Sequence, residues 1–272
     1  MVIQTRLNML HVIKNLLKKN KYIKEYLRCK DIVKRYDERK SKEARVLGLF
    51  RDEFNDFLNT SKNRRFDTFW EERNPWLNDK TTTIGFDRHY VYHTAWATLI
   101  VKQINPENHI DISSFVYFPA LLSAFIPVTY YDFRKPELEL SNVQAGQADL
   151  TALPFASNSV YSLSCMHTVE HIGLGRYGDP LDYEGDLKAI NELKRVVAAG
   201  GHLLFVVPIG KSKIFFNAHR VYSYSQIIEY FSDMKLVEFT LIKEHSGGLI
   251  QHAAQELADA ENYACGCFWF QK

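Results

Sequence analysis

The densest run of reactive side chains in the sequence is Cys165-Met166-His167-Thr168-Val169-Glu170-His171. Two imidazoles four residues apart, with a carboxylate beside them, can move protons near neutral pH. A histidine within reach of a hydroxyl acts as a general base, and a neighbouring carboxylate can orient it. His171 is the first candidate base, His167 the substitute, and Glu170 the orienting group. The string H-x-x-E-H also matches an inverted zinc-protease motif. Here it follows an apolar strand-like run rather than lying inside a helix, which argues against peptide hydrolysis. The structural alternative is that Glu170-His171 caps a helix and satisfies backbone groups.

Three aspartates make a second pattern. Asp111 lies toward the end of HIDIS, with Ser113 and Ser114 after it; Asp132 closes VTYYD, 21 residues later; Asp149 and Leu150 stand in ADLTALPF. In open parallel sheets, ligands bind beyond the carboxyl ends of the strands. An acidic side chain about 20 residues past the first turn can accept hydrogen bonds from ribose hydroxyls. Asp149 is then placed to meet an adenine amino group. For Asp132 the alternative is an ordinary strand-end residue. Two loops offer recognition groups: Arg176, Tyr177 and Asp179 in GLGRYGDPLD, and Asn217, His219 and Arg220 in FNAHR. Ordered loops of this composition commonly carry function. For Arg176 and Arg220 a salt bridge that pins the loop is an equal alternative.

The elements that must position these groups follow from hydrophobic periodicity. Short apolar runs at His109–Ile112, Val128–Tyr131, Val160–Cys165 and His202–Val207 read as strands, with a helix at Leu187–Val197 and Gly200-Gly201 as a tight turn before the last of them. Such alternation predicts a parallel sheet covered on both faces. Leu236–Lys243 and Ala264–Phe270 are two more strand-like runs. Cys265 and Cys267 alternate within the second, as buried strand residues, with a metal site as the alternative. Phe86–Gln103 reads as a helix whose Tyr90, Tyr92 and Trp96 can stack on an acceptor.

Leu7–Tyr36 reads as a further helix, with Leu7, Leu10, Ile13, Leu16, Leu17, Tyr22, Ile23, Tyr26 and Leu27 on one stripe. Met1–Arg45 holds 14 Lys and Arg against 5 Asp and Glu, a balance of +9, while the remainder carries −7. A solvated helix face is the favoured reading. Contact with an anionic membrane surface or a partner is the alternative, and no specific nucleic acid is expected. The expected organisation is a basic helical extension over 1–80, ending in an aromatic, irregular connector from Ser61 to Lys80, and a catalytic body over 81–272.

With 46% hydrophobic and 24% charged residues the chain is no disordered or collagen-like protein. No apolar run approaches the roughly 18–20 residues of a membrane span, and the start does not read as a cleaved signal peptide. Four cysteines without a C-x-x-C pair suit a reducing, cytoplasmic setting.

ADLTALPFASNSVYSLSCMHTVEHIG followed by NELKRVVAAGGHLLFVVP resembles the later motifs of class I S-adenosylmethionine-dependent methyltransferases. Those motifs are an acidic residue before LPF, a strand, an EH pair and a glycine-paired turn. The blocks HIDISSF, SAFIPV, HIGLGRYGDPLD, GDLKAINELKRV and FNAHRVYS are similar to a poorly characterised branch of that superfamily, grouped as a domain of unknown function. The resemblance runs from about Phe86 to the C-terminus and leaves out the basic helix.

The resemblance implies an α/β, Rossmann-like sheet of seven strands in the order 3-2-1-4-5-7-6, with Ala264–Phe270 antiparallel. It implies S-adenosyl-L-methionine as cofactor, held by Asp111, Ser113, Ser114, Asp132, Asp149, Leu150 and Cys165. One departure stands out. The family's glycine-rich turn after the first strand is replaced by Asp111-Ile112-Ser113-Ser114. Serines can still donate to the cofactor's carboxylate, but they lack glycine's access to positive φ. Some family members carry E-x-x-E-H at the fourth strand and hold Mg²⁺ there. Here the first position is His167, a poor ligand for an oxygen-seeking ion, and no metal is assigned.

The expected function is O-methylation of a polar acceptor such as a sugar or glycan, as in polysaccharide biosynthesis. The alternatives are a catalytically inactive scaffold and a nucleotide-sugar-using transferase.

Overall fold

The computed structural model describes residues 21–60 and 65–272, which fall into two compact units divided between Ile84 and Gly85. The apolar stripe expected from Leu7 to Leu17 lies outside the described residues. Among those described, no helix is long and apolar enough to cross a membrane.

In the first unit, helix α1 spans Lys21–Asn59, well past the Tyr36 boundary expected from the apolar stripe. Beyond Tyr36 the helix carries charged pairs such as Arg39 and Glu43, at 2.8 Å, and a half-buried apolar stripe of Val46, Phe50, Phe54 and Leu58 at four-residue steps. The aromatic stretch is irregular as expected over its described residues, 65–80, apart from one turn, and it clasps the helix. Trp70, in the single turn Trp70–Glu72, stands 5.8 and 5.3 Å from the rings of Phe50 and Phe54, and the Arg73 guanidinium lies 4.5 Å over its ring.

The second unit opens with helix α2 (Arg88–Ile104), started by Asp87, whose carboxylate accepts the N–H of Tyr90. There follow β1 (His109–Ile112), α3 (Tyr117–Leu122), β2 (Val128–Asp132), β3 (Val143–Gln147) and β4 (Val160–Met166). Next come α4 (Gly185–Val196), β5 (Val197–Ile209) and a small hairpin of β6 (Lys213–Phe215) and β7 (His219–Val221). The chain ends with α5 (Tyr224–Tyr230), β8 (Lys235–Ile242), β9 (Leu249–Gln251), α6 (Gln255–Asp259) and β10 (Ala264–Gln271).

The sheet order is β3-β2-β1-β4-β5-β10-β8-β9. The first five strands are parallel, and β10 runs antiparallel between β5 and β8. This is the expected order with one short edge strand, β9, added. Its two apolar residues, Leu249 and Ile250, and the exposed Gln251 are too short a run to read, which is why it escapes the sequence.

Period-two alternation divides the core. Leu204, Val206, Met166, Cys265 and Cys267 pack with Trp96 and Ile100 of α2 and Phe118 of α3. Leu203, Phe205, Cys165 and Phe268 pack on the other face with Ile190 and Leu193 of α4. Trp96 is therefore core, with its Nε1 donating to Glu238 at 2.8 Å, and not an acceptor-stacking residue.

Gly200-Gly201 also differs from the expected helix-to-strand turn. Strand β5 already starts at Val197, and its pairing with β4 jumps from Val160↔Val197 to Ser162↔His202. The glycines form a bulge in which a Gly201 Cβ would lie 2.9 Å from the Ala198 carbonyl.

Candidate functional site

Strand order reverses between β1 and β4, which places the natural ligand crevice beyond the carboxyl ends of β1, β2 and β4. Two adjoining hollows lie there, of about 100 and 110 Å³. The first is lined by Ile112, Ser114, Asp132, Ala148 and Leu150; the second by Asp149, Thr151, Gly173 and Asp179. Both share Phe133, His171, Ile172 and Tyr177, so they form one slot.

Asp132 is the last residue of β2, and its Oδ1 accepts the Arg134 N–H at 2.8 Å. Asp149 lies just past β3 and accepts both the N–H and the hydroxyl of Thr151, at 2.8 and 2.7 Å. The guanidinium groups of Arg134 and Arg176 sit 4.9 and 5.1 Å over the Tyr177 ring and hold it at the slot.

The loop that carries Tyr177 is built by residues the sequence reading gave to the acceptor. Asp179 accepts the N–H groups of Gly173, Gly175 and Tyr177 at 2.8, 3.3 and 3.2 Å. Its carboxylate is committed to the loop, although the residue also borders the slot. Gly173 has φ +79°, and a Cβ there would lie 2.0 Å from the Asp182 carbonyl, so only glycine passes. Arg220 is buried and donates to the carbonyls of Ile172 (2.6 Å) and Tyr183 (3.0 Å), with its Nε 3.4 Å from Asp186. It pins the loop and does not border the slot. Asn217 is exposed and lines neither slot nor cavity, because the hairpin turn carries it outward.

The turn after β1 also corrects the expectation. Asp111 is fully buried, and its Oδ1 accepts the hydroxyls of Ser113 and Ser164, both at 2.5 Å. Burial pushes its pKa up to about 7 against the two hydroxyl bonds. His109 continues the network, with ring nitrogens 2.8 and 2.9 Å from Ser162 and Ser164, and burial holds it neutral down to about 3. Asp111 thus belongs to a polar core between β1 and β4 and cannot reach a ligand.

Ser113 is equally buried and accepts the Met166 N–H. Ser114 lines the slot, but its hydroxyl donates to the His167 carbonyl at 3.0 Å. No positive φ is needed in this turn; the left-handed residue is His167, at φ +52°. Cys165 lies on the α4 side of the sheet in the apolar core, away from the slot, because strand alternation turns it inward.

Beside the slot lies a cavity of about 480 Å³, lined by His89, Tyr90, His167, Glu170, His171, Arg176, Tyr177, His219 and Tyr263, among others. His171 and Tyr177 border both spaces. His171 Nδ1 lies 2.6 Å from the Ala218 carbonyl, which can only accept; Nδ1 therefore carries the proton and Nε2 offers its lone pair. Glu170 Oε1 is 2.9 Å from His167 Nδ1 and 3.9 Å from His171 Nε2. Burial opposes ionisation of Glu170, yet the His167 hydrogen bond and the charges of His167 and His171 together outweigh it and lower its pKa. Burial also lowers His219, whose Nε2 is enclosed without a partner.

Sequence reasoning missed His89 and His93 as neighbours of His167, at ring distances of 5.4 and 5.2 Å. Their spacing of four on one helix face was the available signal.

A family model described as "Caenorhabditis protein of unknown function, DUF268" matches residues 151–262. No curated protein sequence matches the chain. Among solved structures, it is similar to the YcgJ protein of Bacillus subtilis, at 14% identity over 65% of this chain and 98% of that one, with TM-score 0.45. It is similar to the 1,6-didemethyltoxoflavin-N1-methyltransferase of Burkholderia thailandensis, solved with S-adenosylhomocysteine, at 10% identity over 66% and 78%, TM-score 0.48. A third, the [4+2]-cyclase SpnF, stands at 13% identity over 66% and 80%, TM-score 0.47. Their activities differ, and likeness at this level carries none of them to this chain.

Proposed function

We propose that the slot binds S-adenosyl-L-methionine and that the adjoining cavity receives a polar acceptor, making the chain a methyltransferase acting on a hydroxyl of a sugar or glycan. The observation that carries this reading is Asp132. It stands at the end of β2, beside the point where strand order reverses, and lines the same slot as Asp149 and Leu150.

The residues fit the adenosine end of that cofactor. Asp132 would take the ribose hydroxyls. Asp149 would meet the base, with Phe133 and Leu150 giving it apolar walls. The hydroxyls of Ser113 and Ser114 are committed inside the protein, so the methionine end is left to main-chain groups of the turn. When bound, S-adenosylmethionine supplies a methyl group on a positively charged sulfur.

The protein's own part is alignment and proton removal. His171, at the border of slot and cavity, accepts the acceptor's proton at Nε2, while the Ala218 carbonyl fixes the ring and its tautomer. The Glu170 carboxylate, 3.9 Å away, stabilises the imidazolium that forms. Arg176, His219, Tyr90 and Tyr263 give the cavity donors, acceptors and aromatic faces, a mixture suited to a sugar.

Thermal unfolding with S-adenosylhomocysteine tests the reading, since ligand at 100 times its Kd adds about 2.7 kcal/mol of stability. A methyl-sized mass gain on a glycan acceptor incubated with enzyme and cofactor would support the acceptor class. Absence of any thermal shift at millimolar ligand would overturn the cofactor assignment.

A further inference from the structure

We infer that His89, His167 and Cys265 form a binding site for a borderline-soft divalent cation, Zn²⁺ in the first instance, beside the 480 Å³ cavity that His89 and His167 line. The three come from the first turn of α2, the residue after β4 and the second residue of β10, so only the fold unites them. All three are buried, and one nitrogen or sulfur of each lies within 4.8 Å of the others.

The geometry suits such an ion. His167 Nε2 is 3.5 Å from Cys265 Sγ. Zinc bonds of roughly 2.0–2.1 Å to nitrogen and 2.3 Å to sulfur place two tetrahedral ligands about 3.6 Å apart. Imidazole and thiolate together select zinc-like ions over Mg²⁺, which wants oxygen.

The surroundings make the same case. A metal-bound histidine characteristically gives its other ring N–H to a carboxylate, which fixes the tautomer. Glu170 Oε1 holds that position, 2.9 Å from His167 Nδ1, and so directs the Nε2 lone pair toward Cys265. Glu170 is only 1% exposed, and its Oε2 is buried without a hydrogen-bond partner.

His167 has a left-handed backbone, φ +52°, and its side chain meets both Glu170 and Cys265. His89 and His167 also border the cavity, which leaves the fourth ligand position open to it. An oxygen- or sulfur-bearing acceptor could coordinate there. That last role rests on the proposed function; metal binding does not.

The test uses the full chain, untagged and without cofactor. Elemental analysis after purification in zinc-containing medium should give about one zinc per chain. After its removal by chelation, Co²⁺ titration should produce the near-ultraviolet absorption of a cobalt–thiolate bond. Cys265→Ser should abolish that band, and His89→Gln should weaken Co²⁺ binding at least tenfold. Cys165→Ser, on the other face of the sheet, should leave both unchanged.

Less than a tenth of an equivalent of Zn²⁺ and no cobalt–thiolate band in the wild-type chain would overturn the inference without needing any variant. A band that survives Cys265→Ser would overturn the ligand set. If S-adenosylhomocysteine binds while Zn²⁺ and Co²⁺ do not, this inference falls and the methyltransferase reading stands.

Discussion

His171 donates its Nδ1–H to the Ala218 carbonyl, 2.6 Å away, which leaves Nε2 as the basic face at the border of slot and cavity. Because the proton-bearing side is fixed by a main-chain group, the ring stays oriented when the acceptor arrives. Removing it should cost catalysis more than folding. In His171→Ala the carbonyl keeps the Arg176 guanidinium as a donor, at 3.1 Å. We expect kcat to fall about 10²–10⁴-fold with S-adenosylhomocysteine affinity changed little, as single-turnover kinetics and calorimetry would show. Full turnover in both His171→Ala and His167→Ala would leave positioning alone as the mechanism.

Asp111 makes stability depend on pH in an unusual direction. Its folded pKa of about 7 lies above the ordinary 3.8, so the folded state holds a proton that the unfolded chain has lost. Its contribution is complete below about pH 4 and disappears as pH rises through 7. His109, held neutral by burial, works oppositely: its contribution is present above pH 6.5 and lost on acidification toward about 3. Comparing wild type with Asp111→Asn cancels the histidine. Asparagine keeps an acceptor for both serines and removes the titration. Urea unfolding should show the variant gaining on wild type between pH 4 and 8, by an amount on the order of 4 kcal/mol. Parallel pH profiles would contradict a buried, titrating Asp111.

Arg220 is expected to be a stability residue. It and Asp186 are both almost wholly buried, and Tyr222 adds a hydroxyl bond to Asp186 at 2.9 Å. Arg220→Met leaves a buried carboxylate without its cation and two loop carbonyls without their donor. A loss of about 3–5 kcal/mol in chemical denaturation is expected. A variant with unchanged stability and a raised acceptor KM would restore the acceptor-binding role that its residue type suggested.

The sheet was legible because β4, β5 and β10 are buried on both faces and so read as continuous apolar runs. The strands β6, β7 and β9 are three residues each, too short for periodicity to report. Asp132, Asp149 and Leu150 were legible as slot residues because a strand end fixes their place regardless of side-chain partners. Ser113 and Arg220 were misplaced for the converse reason, and Asp179, which borders the slot, has its carboxylate engaged by the loop. Residue type shows what a polar group can bind, but not whether the fold has already supplied a partner. Cys165 and Cys265 show the same limit. Each lies in an apolar strand, and only registry across the sheet sends one toward α4 and the other toward His167.

The measurement that bears most directly on the account is calorimetric titration of S-adenosylhomocysteine into the full chain and into Asp132→Ala. The account predicts one site per chain in the wild type. Each charge-assisted hydrogen bond lost in the variant should cost roughly 1.5–3 kcal/mol, and one such loss already weakens affinity by at least about tenfold. Equal affinity in the two proteins would contradict the slot assignment, and no binding heat in the wild type at any temperature tried would contradict the methyltransferase reading itself.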